Sequence, residues 1–140
     1  ETGFRWICGD EYAGEWLKKV AKNKNFKVNV KNSTDQISNV SIQGPKSREI
    51  LKKLIFTPPT QPSIDELEWF RFTICRVEEL QGIPLIVSRT GYTGELGYEV
   101  WCNPKHAPEV WDKLLEVGKD HGLIPAGLLA FILNATLPKK

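Results

Sequence analysis

From Ser88 to Val100 the chain reads SRTGYTGELGYEV, a run holding three glycines, two tyrosines, two glutamates and an arginine. Carboxylates, phenols and hydroxyls at that density can accept and donate hydrogen bonds to a polar ligand. A bare hairpin needs only one or two turn residues. Here a glycine recurs at every third position (Gly91, Gly94, Gly97) and the run ends on the alternating Tyr98-Glu99-Val100. Either the loop is merely tight, or something sits against it. Read by themselves, Glu99 is a surface strand residue, Tyr92 a hairpin tyrosine packing over a neighbouring strand, and Glu95 a solvated turn charge. Arg89, where the loop begins, suits a neighbouring carboxylate better than a ligand.

Other chemistries find little support. The cysteines are Cys8, Cys75 and Cys102, with no CxxC pair and no histidine at ligand spacing, so no metal site is expected. No GxGxxG fingerprint for a dinucleotide occurs. A net charge of +2 points to neither nucleic acid nor a membrane surface. The lysines between Lys18 and Lys31 lack the interleaved aromatic and arginine pattern of base stacking, so they are expected to form a solvated face. No apolar run approaches the roughly 18 to 20 residues of a membrane span. Sparse cysteine use leads us to expect a reducing compartment, the cytoplasm or, in a eukaryote, the mitochondrial matrix.

The elements that must hold the loop can be read from periodicity. At 140 residues, 41% hydrophobic and 26% charged, the chain is one domain's worth of ordinary globular sequence. Asp10 is suited to cap a helix running to about Asn23, with Trp16, Leu17, Val20 and Ala21 on its apolar side. Phe26–Val30 and Ile37–Ile42 alternate as half-buried strands do and are expected to share a sheet. QGPKSREILKKLI turns at Gly44, has Pro45 where a helix's first turn tolerates it, and sets Ile50, Leu51 and Leu54 on one face. Thr57–Ser63 is a proline-rich loop. Trp69–Val77 and Ile83–Arg89 form a hairpin around EELQG, and Gly97–Cys102 is the next strand. A helix carrying Val110, Trp111, Leu114, Leu115 and Gly118 stops at Gly122. The fold class is α+β, a largely antiparallel sheet with covering helices.

Three motifs in order carry a resemblance. VSIQGPKSREIL, RTGYTGELGYEV and the GLIPAGL that follows the last helix make the chain similar to the glycine-cleavage T-protein (aminomethyltransferase) family, over most of its length. The glycine-rich loop is the specific motif of the three. The resemblance implies that residues 1–140 are part of a folate-binding domain, the chain being a segment of a longer one. A first residue that is Glu, an immediate entry into FRWIC, which reads like the middle of a sheet rather than its edge, and a closing apolar run, GLIPAGLLAFILNATLPKK, agree with that expectation.

What the family does is then an expectation for this chain. Its members bind tetrahydrofolate and move a one-carbon unit to or from it; in the T-protein an aminomethyl group arrives on the lipoyl carrier protein of the glycine cleavage system. The alternative is a folate-binding or interaction module without turnover, or the tail of a flavin-dependent demethylating dehydrogenase. Glu99 matches the family's pterin-binding glutamate, since an ionised carboxylate accepts the pterin's ring N3–H and 2-amino group together. Tyr92 matches the tyrosine that lies beside the folate. The family's catalytic aspartate falls upstream of Glu1, so no catalytic residue is expected here. Cys8-Gly9-Asp10 stands where the family often has an asparagine, and Phe131 takes the place of its folate-reaching arginine.

Overall fold

The computed structural model describes residues 3–10 and 12–122. The chain forms two compact units, with the division between Thr34 and Asp35. Residues 123–128 of the GLIPAGL segment and Phe131 lie outside the described residues.

In the first unit, helix α1 spans Ala13–Asn23. Asp10 starts it from further back than a true cap: its Oδ1 accepts the Tyr12 amide at 2.8 Å and its carbonyl accepts the Ala13 amide at 3.2 Å. The helix ends at Asn25, whose φ of 53° is left-handed. The Asn25 and Phe26 amides bond back to the Lys22 and Ala21 carbonyls at 3.1 and 2.9 Å, the Schellman pattern that satisfies last-turn carbonyls. Leu17, Val20 and Ala21 are half-buried, while Trp16 is exposed with its ring edge-on to Trp6. Phe26–Val30 is not a strand: Phe26 and Val28 are 60% and 61% exposed and the segment pairs with no strand among the described residues. Alternation alone does not make a strand, because each backbone amide and carbonyl also needs a partner ladder.

The second unit is a five-stranded antiparallel sheet in the order β1-β5-β4-β3-β2. Its strands are β1 (Ser38–Gln43), β2 (Ile55–Phe56), β3 (Phe72–Val77), β4 (Pro84–Ser88) and β5 (Gly97–Cys102). The expected hairpin is β3–β4, in register from Phe72↔Ser88 to Arg76↔Pro84. The expected partner of β1 was wrong: β1 pairs with β5 from Ser38↔Cys102 to Gln43↔Gly97. Helix α2 (Ser47–Leu54) carries the chain from β1 at one edge to β2 at the other. It begins two residues after Pro45, which lies in the preceding turn beside Gly44 at φ 112°. It also stops one residue sooner than its pattern suggested, because Ile55 is extended and pairs with Val77.

Helices α2 and α3 (Ala107–Lys119) pack on one face of the sheet. That face supplies Ile42, Cys75, Val77, Leu85, Val87, Tyr98, Val100 and Cys102, and the helices add Ile50, Leu51, Leu54, Val110 and Leu114. Ile64 and Leu67, from the connection after the proline loop, complete this core and had no periodic signal. Trp111, on the expected apolar side of α3, is instead 41% exposed. Gly122, at φ 72°, follows the end of α3 as its stop signal requires. The buried Tyr98 hydroxyl accepts the Arg48 Nε–H at 3.0 Å, a bond that pushes the guanidinium's pKa up.

Candidate functional site

The alternation of β5 sends Tyr98, Val100 and Cys102 into the core and Gly97, Glu99 and Trp101 to the opposite face. No helix of the second unit's described residues covers that face, where Phe72 and Ile74 of β3 are 59% and 50% exposed. Glu99 is half-buried in its middle, directly across from Ser41 of β1 and Ser88 of β4. Two small neighbours leave the carboxylate accessible from above the sheet.

Both carboxylate oxygens are held by the chain. Oε1 accepts the Asn39 Nδ2–H at 3.0 Å, and Oε2 accepts the Thr90 hydroxyl. Thr90 Oγ1 lies 2.8 Å from Ser88 Oγ, which accepts the Trp101 indole N–H at 3.1 Å. Asn39 of β1 and Thr90 of the loop thus hold the carboxylate, and Ser88 of β4 and Trp101 of β5 extend the chain of bonds behind Thr90. Each oxygen of an ionised carboxylate has two lone pairs, and the described residues use one on each, which leaves one for a further donor.

The glycine-rich loop closes around Gln43, the glutamine of the QGP turn. Gln43 Nε2 donates to Ser41 Oγ at 2.9 Å and to the Tyr98 carbonyl at 3.3 Å, and its Oε1 accepts the Thr93 hydroxyl at 3.0 Å. Gly91 and Gly97 face this amide so closely that a Cβ on either would overlap it. Gly94, at φ 77°, makes the turn itself. The Gly44 amide bonds the Leu96 carbonyl at 2.7 Å, tying the two motifs by backbone as well. Each motif is thus the other's packing surface.

Tyr92 stands at the loop tip, 93% exposed, rather than packed over a strand. Glu95 is exposed, as a turn charge should be. Arg89 does not pair with a carboxylate among the described residues. Its Nη1 donates to the Leu67 carbonyl at 3.0 Å and its guanidinium lies 4.8 Å from the centre of the Trp69 ring, which orders the chain just before the loop. Asp10, in the first unit, is engaged by the Tyr12 amide. No cluster of histidine, cysteine and acidic side chains able to hold a metal occurs among the described residues.

Asn39, Ser88, Thr90, Trp101 and Gln43 were not legible as site residues in the sequence. The available signal was the polar phase of ISNVSI and of the strand ending in Ser88, but only the register brings those phases to Glu99.

Residues 6–134 match the family described as GCVT N-terminal domain. The chain is 54% identical over 130 residues, 93% of its length, to a trimethylamine-oxide aldolase of Ruegeria pomeroyi, of which it covers 16%. It is 44% identical over 115 residues to an aminomethyltransferase of Thermoanaerobacter pseudethanolicus, 81% of this chain and 28% of that one. A Bacillus cereus aminomethyltransferase is 40% identical over 127 residues, 89% of this chain and 32% of the relative. The chain thus spans a third or less of the length of these relatives.

Proposed function

The chain belongs to the GCVT N-terminal domain family, and from that premise we propose that residues 1–140 form part of a tetrahydrofolate site serving one-carbon transfer. The observation that carries this reading is the Glu99 carboxylate, half-buried on the sheet face opposite the two helices and bonded, among the described residues, by one donor on each oxygen. A pterin edge offers two adjacent N–H donors, which is the complement of that arrangement. Exposed Phe72 and Ile74 on the same face supply apolar area against which a flat ring can lie. Tyr92, held clear of the loop, is the second folate contact in this reading. The bound folate would supply the amine nitrogens that receive the carbon; the chain's residues bind and orient it. In the aminomethyltransferase form of the reading the carbon arrives on a lipoyl carrier protein.

A second reading is favoured by the similarity to the trimethylamine-oxide aldolase, which extends over 93% of this chain. In it the same site serves a longer protein acting on a methylated amine oxide. Titration calorimetry of tetrahydrofolate into the full protein and its Glu99→Gln variant tests the site. A charge-assisted hydrogen bond contributes about 1.5 to 3 kcal/mol, so affinity should fall roughly ten- to a hundredfold. Equal affinities would remove Glu99 from the site. Supplying aminomethylated lipoyl carrier or trimethylamine oxide as the donor, and assaying methylene-tetrahydrofolate, separates the two readings.

A further inference from the structure

The hydrogen-bond chain that ends on Glu99 has only one possible direction. An indole N–H donates and cannot accept, so Ser88 Oγ is the acceptor from Trp101 Nε1, 3.1 Å away. An ionised carboxylate accepts and cannot donate, so the single proton of the Thr90 hydroxyl points to Glu99 Oε2. The proton between the hydroxyls, 2.8 Å apart, must then come from Ser88. Every donor in Trp101→Ser88→Thr90→Glu99 is thereby committed. On the other oxygen, the Asn39 amide must present its nitrogen, which it does at 3.0 Å.

We propose that Asn39 and Thr90 are positioning residues, which lock the Glu99 carboxylate in one orientation for a ligand edge that carries two adjacent N–H donors. This rests on the folate reading above and deepens it. A free glutamate on an exposed sheet face samples several rotamers, and ordering one such side chain on binding weakens affinity about two- to tenfold. Here one donor from β1 and one from the loop have already ordered it. They use one lone pair on each oxygen and leave the other to the ligand, so the same contacts that fix the group do not block it. Ser88 is the bridge of this relay, its hydroxyl accepting the Trp101 indole N–H and donating to Thr90.

The test is a set of tetrahydrofolate titrations on the full protein with Thr90→Val, Thr90→Ser, Asn39→Ala and Glu99→Gln. Thr90→Val and Asn39→Ala should each weaken binding about two- to tenfold, and Thr90→Ser, which keeps the hydroxyl, should bind like the parent. Without ligand, the Trp101 indole N–H resonance should move in Thr90→Val and hold its place in Thr90→Ser, because only the first breaks the relay. Should Thr90→Val not fold, Thr90→Ala removes the same hydroxyl with less bulk and should lower affinity in the same sense. Parent-like affinity in Thr90→Val or Thr90→Ala, beside a weakened Glu99→Gln, overturns the positioning role and leaves the folate reading standing. Parent protein that binds no tetrahydrofolate, or Glu99→Gln that binds it unchanged, overturns both.

Discussion

Gly97→Ala tests how the glycine-rich loop and the QGP turn depend on each other. A Cβ at position 97 would occupy the space of the Gln43 side-chain amide. That amide is the far end of a flexible side chain, and Gly97 is not in the left-handed region, so the strand itself can accept alanine. What is lost is the set of bonds that Gln43 makes to Ser41, the Tyr98 carbonyl and Thr93. At a net of about 0.5 to 1.5 kcal/mol each, with part regained from water by a half-buried amide, the loss is about 1 to 2 kcal/mol. Removing a glycine from the unfolded chain offsets about 0.4 to 1 kcal/mol of it. Gly97→Ala should therefore destabilise the parent chain by about 1 kcal/mol and, in a Gln43→Ala background, stabilise it by about 0.4 to 1 kcal/mol. Urea unfolding of the two single variants and the double variant, followed by tryptophan fluorescence, measures this coupling. The same cost with and without Gln43 would refute the argument that the glycine exists to admit that amide.

Two further outcomes concern ionisable groups away from the site. The Ser63 hydroxyl and backbone amide, at 2.7 and 3.1 Å from Glu66 Oε2, lower that carboxyl's pKa from its ordinary 4.5. Its contribution to stability is present above that value and is lost as pH falls through the folded-state midpoint. NMR titration should find the Glu66 midpoint below its ordinary value, and Ser63→Ala should raise it; an unmoved midpoint would discard the bond. Burial pushes the Cys75 thiol up to about 12 and the Cys102 thiol in the same direction. Iodoacetamide at neutral pH should therefore label exposed Cys8 well before either, and mass spectrometry showing early modification of Cys75 in folded protein would contradict its burial.

Short-range chemistry was enough to locate much of this protein. Period-two alternation placed β3, β4 and β5 because each is a strand with one face in the core, and the apolar positions Ile50, Leu51 and Leu54 placed α2 for the corresponding helical reason. The glycine-rich run singled out Glu99 and Tyr92, since residue types and spacing within a loop are local properties. Local pattern failed where the decisive partner is distant in sequence. Phe26–Val30 alternates as well as β1 does, yet only β1 found a ladder, with β5, about sixty residues away.

The site's support is of that second kind. Asn39 and Glu99 are separated by sixty positions and Gln43 and Thr93 by fifty, and nothing in either segment alone names the other. Sequence by itself determined which faces of the strands are polar and that a carboxylate ends the loop. Tertiary structure decided that β1 would lie against β5, which brings Asn39 to one oxygen of that carboxylate and lets the loop close on Gln43. The physical reason is that a hydrogen bond depends on distance and direction in space, and register between remote strands is settled by burying both apolar faces at once.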